Sequence, residues 1–254
     1  MSELEDMFED NESLVHGDEE KTVAAEIGDL PDEAPHVAGG SRGARLSGRA
    51  SDLFHGMWAS VFYSGRTTGK TVLLTSAARR EGVSTIACGL GLTDSDVEGS
   101  PRVALVDFNL RNPAVHSILG LRAGPGLVEA LADGLSPSES VQKVNRNLDV
   151  FTVGAIGSRS LEVLRSDAVE RFFAQLNDLY DYVLVDSAAA NHYPDAQVLG
   201  GVLKDVVLVV HSDLTPREAV AQAKKRIEAG GGRVVGIVLN MRTFPIPNFL
   251  YRIV

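Results

Sequence analysis

From position 71 onward the apolar residues gather into short β-branched runs at 71–77, 102–107, 148–153, 181–186, 205–211 and 234–239. Several, such as VVLVV and VVGIVL, are unbroken rather than alternating. Unbroken runs mean burial on both faces, so the pattern predicts an α/β fold with a mostly parallel sheet flanked by helices on both faces. Stretches of helical spacing, such as 84–92, 167–179 and 216–229, lie between most of the runs. Ahead of them, Leu53, Phe54, Met57, Trp58, Val61 and Phe62 form one apolar helical face behind a Ser51-Asp52 cap. Residues 36–50 are rich in Gly and Arg without an apolar period and read as linker. The pattern therefore divides the chain into a leader at 1–50 and a folded domain at 51–254.

Charge sharpens that division. The chain of 254 residues has a formal net charge of -10, but 13 of its 34 acids lie in residues 1–35, beside Lys21 alone. The remainder holds 21 acids against 23 bases. An acidic tail on a nearly neutral body predicts a disordered, solvated leader and excludes the strongly basic character of a dedicated nucleic-acid binder. A single cysteine, Cys88, excludes an internal disulfide framework and a cysteine-rich zinc site. No apolar run approaches a membrane span, and the acidic start does not read as a secretory signal, so the expected location is cytoplasmic.

In open α/β sheets ligands sit beyond the carboxyl ends of the strands. After the first core run comes Thr75-Ser76-Ala77-Ala78-Arg79-Arg80-Glu81-Gly82-Val83-Ser84-Thr85, then an Ala/Leu/Gly helix. Strand, loop, then Gly-x-Ser-Thr opening a helix is the layout of a P-loop, whose amides cradle phosphate and whose hydroxyl meets Mg²⁺. Gly65-Arg66-Thr67-Thr68-Gly69-Lys70-Thr71 resembles the end of a Walker A sequence but precedes its strand, and so reads as a surface turn. Two other runs end in aspartate, Asp107 and Asp186, at tips where oxygen ligands suit Mg²⁺ and its waters. No strand–Gly-x-Ser-x-Gly–helix arrangement supports a hydrolase.

With these motifs in this order, residues 51–240 resemble the kinase domain of bacterial tyrosine autokinases of capsule and exopolysaccharide synthesis, relatives of the Min/Par-type P-loop ATPases. The resemblance is carried by the P-loop, by Asp107 with Leu110-Arg111-x-Pro113, and by Gly120-Leu121 with Pro125-Gly126-Leu127. It continues in Tyr180-Asp181-Tyr182-Val183 with Asp186, Thr215-Pro216-Arg217 and Val238-Leu239-Asn240. It implies ATP or ADP with Mg²⁺ as cofactor. Gly82, Ser84 and Thr85 would contact phosphate, with Glu81 and Arg79 in the same loop, and Asn240 would lie near the base. Ser84, Asp107 and Asp186 would face the metal, and the two aspartates would be the catalytic acids.

The departures from the family fall on charged groups. The P-loop lysine is Val83, and the lysine of Min/Par-type relatives aligns with Ala78. Asp-x-Asp has become Asp107-Phe108-Asn109, and an amide is no general base. An Arg-containing oligomerisation motif aligns with Asp52, His55 and Trp58, and the terminal tyrosine cluster is reduced to Tyr251. The expected function is a degenerate autokinase-like protein of polysaccharide synthesis or export. It would act through the cytosolic segment of a membrane chain-length or export protein, which would hold it peripherally at the inner membrane, with weak or no ATP turnover. Two alternatives stay open: an active autokinase or ATPase using Arg79 or Arg80, and a Min/Par-type positioning ATPase.

Overall fold

The computed structural model describes residues 23–26, 46, 48–155, 164 and 166–242. An eight-stranded sheet runs in the order β1-β8-β7-β2-β6-β3-β5-β4. Its strands are β1 (Val23–Glu26), β2 (Thr71–Ser76), β3 (Val103–Asp107), β4 (Gln142–Lys143), β5 (Leu148–Phe151), β6 (Tyr182–Asp186), β7 (Asp205–His211) and β8 (Arg233–Asn240). Every neighbouring pair is parallel except β4 with β5. The unbroken run VVLVV lies in β7, buried except at His211, and VVGIVL in β8, which is only partly buried, while β2, β3 and β5 are buried throughout.

Helices cover both faces. One face carries α1 (Gly48–Trp58, prolonged by a wider turn over Ala59–Tyr63), α2 (Val83–Leu92) and the short α3 (Val115–Ile118). The other carries α4 (Leu127–Ala132), α6 (Ser166–Leu179), α7 (Asp195–Leu203) and α8 (Arg217–Ala229), with the one-turn α5 (Pro137–Ser140) at the rim. Helix α1 lies close on α2 because Gly89 leaves room for the ring of Phe54. A Cβ at Gly89 would stand 2.0 Å from Phe54 Cζ.

The leader is not wholly outside the domain. Val23–Glu26 pairs in parallel with Gly236–Leu239 and closes one edge of the sheet, a strand that the apolar pattern did not predict. The first helix also starts at Gly48, three residues ahead of the expected cap. Among the described residues no helix is long and apolar enough to cross a membrane.

From β2 the chain moves outward to β3 and β5, returns to β6 between β2 and β3, then passes to β7 and β8 on the far side. That reversal opens a crevice above the carboxyl ends of β2, β3 and β6, the place where such sheets bind ligands.

Candidate phosphate cleft

The β2–α2 loop forms the floor of this crevice. Gly82 caps α2 with φ 87°, in the left-handed region that favours glycine, and a Cβ there would meet Asn240 Nδ2 at 2.2 Å. A helix start leaves its first amides without intrahelical partners, and Gly82, Val83, Ser84 and Thr85 at the start of α2 line the cleft. The cleft has a volume of about 420 Å³. Its walls include Arg79, Arg80, Asn109, Arg111, Ala188 and Tyr193.

Two carboxylates lie beneath the floor. Asp107 and Asp186 are paired in register across β3 and β6, and neither is exposed. Ser84 Oγ donates to Asp186 Oδ2 at 2.5 Å, while Asp186 Oδ1 is buried without a hydrogen-bond partner. Asp107 accepts from the amides of Asn109 (3.1 Å) and Val115 (3.2 Å). Burial pushes the Asp107 carboxyl up to about 6, against the pull of these amides. The Asp186 carboxyl is likewise held well above the usual carboxylate range, by burial first and then by the charge of Asp107, with the Ser84 hydroxyl opposing. A buried carboxylate oxygen lacking a partner, beside a serine hydroxyl and a second carboxylate, fits the donor set of Mg²⁺, which takes one or two carboxylates and completes its shell with water and phosphate. Among the described residues no group of three or more His, Cys, Asp or Glu is arranged for a metal, so the donors do not form an all-protein cage.

Two residues expected at the ligand also tie the loop in place. Glu81 is 2% exposed, and its carboxylate accepts from the Ala78 amide (2.7 Å), the His211 amide (3.2 Å) and the Thr215 hydroxyl. It ties the loop to the end of β7. Asn240 stands behind the loop, donating from Nδ2 to the Glu81 carbonyl at 2.9 Å, and is not among the residues lining the cleft. Val83 is 8% exposed and joins the hydrophobic core under α1 and α2.

Sequence reasoning missed Arg111 and Tyr193 as cleft residues. Tyr193 follows the β6 strand by seven positions, and a tyrosine in the loop after a Walker B aspartate was the available signal. The Gly65–Thr71 turn lies at the opposite end of the sheet, where Thr68 Oγ1 donates to Asp205 Oδ2 at 3.1 Å. At the aligned oligomerisation positions, His55 donates to Asp94 at 2.7 Å, and Trp58 packs 4.6 Å from Phe62. A second cleft of about 530 Å³, between α4, α5 and α6, is lined by Ser136, Arg171, Gln175 and Asp178 among apolar residues and shares none of the loop residues above.

No family model matches the chain. The tyrosine-protein kinase YwqD of Bacillus subtilis is 33% identical over 172 residues, 67% of this chain and 72% of that protein. The chain belongs to the bacterial tyrosine-protein kinases. Among solved structures of this kind, the chimerical protein CapA2B2 matches with a TM-score of 0.76 and 26% identity, covering 93% of this chain and 99% of that one. The kinase domain of the Escherichia coli tyrosine kinase ETK shares the fold with a TM-score of 0.70 and 23% identity, over 77% of this chain and 78% of that one. A more distant neighbour in fold, cobyrinic acid a,c-diamide synthase from Mycobacterium smegmatis, was solved with ADP and magnesium (TM-score 0.53, 17% identity, 67% of this chain and 72% of that one).

Proposed function

We propose that this member of the tyrosine-kinase family holds Mg-nucleotide weakly, turns it over slowly or not at all, and works chiefly by engaging a partner. The partner class is the cytosolic segment of a membrane chain-length or export protein in exopolysaccharide or capsule synthesis, which would place the chain at the cytoplasmic face of the membrane. The observation that carries this reading is the contrast inside one loop. Ser84 bonded to Asp186 and the registered Asp107–Asp186 pair support a phosphate and Mg²⁺ site, while Val83, where the resemblance implies a lysine, packs in the apolar core.

When bound, Mg²⁺ would neutralise charge building on a transferring phosphoryl group. Ser84, Asp107 and Asp186 are the residues that would hold it. The chain's own contribution would be positioning: the α2 amides would orient phosphate, and Glu81 holds the loop in place. Phosphoryl transfer depends almost wholly on positioning and charge stabilisation, so loss of one preorganised charge lowers the rate by roughly 10²–10³.

Calorimetric titration with Mg-ATP, beside incubation with labelled ATP, tests both halves. Binding without label transfer, with transfer rising in Val83→Lys, is the expected result. Brisk hydrolysis or self-labelling by the unaltered chain would refute the loss of turnover, and absence of heat at millimolar ATP would refute nucleotide binding. Arginines lining the cleft favour the second reading, an active autokinase with altered cations; label that appears in the unaltered chain and vanishes in Asp107→Ala would select it.

A further inference from the structure

We propose that the cleft receives the phosphate tail of its ligand on a pair of guanidinium groups, Arg79 and Arg111, mounted on the ring of Tyr193, and that this pair supplies the positive charge absent at Val83. The inference rests on the nucleotide reading above and specifies how it is met. The three residues come from three different segments, the loops after β2, β3 and β6, and all line the same 420 Å³ cleft. Arg79 stands 5.2 Å and Arg111 5.1 Å from the Tyr193 ring centre, and Arg79 also donates to the Tyr193 hydroxyl. Arg111 is braced from behind by Asp195, 3.1 Å away and wholly buried at the start of α7.

With Asp195 paired to Arg111, the two guanidinium groups and their brace carry a net single positive charge, the charge a lysine at position 83 would bring to a polyanion entering the cleft. Arg79 gives one N–H to the Tyr193 hydroxyl and Arg111 one to Asp195, and the remaining N–H donors of each planar guanidinium suit phosphate oxygens. Among the described residues Glu81 is the one carboxylate lining the cleft, and its oxygens already accept three hydrogen bonds, while Asp195, behind the wall, offsets Arg111 alone. Tyr193 and Asp195 thus act as positioning residues for Arg79 and Arg111.

The test titrates the full chain with pyrophosphate and with ATP, each with Mg²⁺, following binding by calorimetry and the fold by circular dichroism. Arg79→Gln and Arg111→Lys, the latter retaining charge toward Asp195, should each weaken binding about tenfold, and the double variant about a hundredfold. Adding Val83→Lys to the double variant should recover at least tenfold. A folded double variant that binds both probes like the unaltered chain overturns the inference while leaving the nucleotide reading intact. Failure of Val83→Lys to recover binding overturns the claim of substitution. An unaltered chain silent to both probes overturns the inference together with the nucleotide reading.

Discussion

Replacing Glu81 by alanine should unfasten the phosphate loop. The carboxylate is buried and accepts from two backbone amides and one hydroxyl, at Ala78, His211 and Thr215. Hydrogen bonds to a charged acceptor contribute roughly 1.5–3 kcal/mol each, and a buried donor left without a partner costs about 1–3 kcal/mol. Three such donors set a range of about 3–9 kcal/mol, and water entering the vacated space and local relaxation bring it toward the lower end. We expect Glu81→Ala to lower the unfolding free energy by about 3–5 kcal/mol. Glu81→Gln keeps the shape but turns an amide toward a donor, and should fall between. Urea unfolding at pH 7, by fluorescence of Trp58 and by circular dichroism, measures the change. Because the same carboxylate joins the loop to the end of β7, phosphate-probe binding should fall in both variants even where they stay folded. Glu81→Ala within 1 kcal/mol of the unaltered chain would refute the clamp.

In EDTA, stability should decline as pH rises from about 4 to above 6. The folded Asp107 carboxyl titrates near 6 against 3.8 ordinarily, so the folded state binds more protons across that window, a difference of roughly 3 kcal/mol; Asp186 acts in the same direction. A urea series from pH 4.5 to 7.5 should show the slope flattened in Asp107→Asn, and stability rising with pH in the unaltered chain would contradict it. Gly89→Ala should cost about 1–3 kcal/mol through overpacking against Phe54. Phe54→Leu in the same chain should recover part of that loss in a thermal melt, and strict additivity of the two would count against the contact.

The strands were legible because burial on both faces leaves an unbroken apolar run, and the predicted 205–211 and the observed Asp205–His211 share their bounds. The loop before α2 was legible because the backbone at Gly82 admits little besides glycine, and that constraint is local. Val23–Glu26 escaped because four residues among acids carry no period, and their pairing depends on β8, some two hundred positions away. The role of Glu81 escaped for a related reason. Its partners at His211 and Thr215 are near only after β7 has been laid beside β2, so a loop acid looked like a ligand contact. Arg111 and Tyr193 meet by the same long-range route, through loops that the sheet order brings together.

The strand contributed by the leader has a practical corollary. Parallel sheets tolerate bare rims poorly, since a row of unmatched amide and carbonyl groups recruits any extended peptide nearby. Val23–Glu26 is itself a rim, but a four-residue one set among acids; trimming the stretch ahead of Gly48 would put the eight-residue, largely apolar β8 at the edge instead and favour self-association. What looks in composition like dispensable ballast is also the hem that keeps the fabric from fraying.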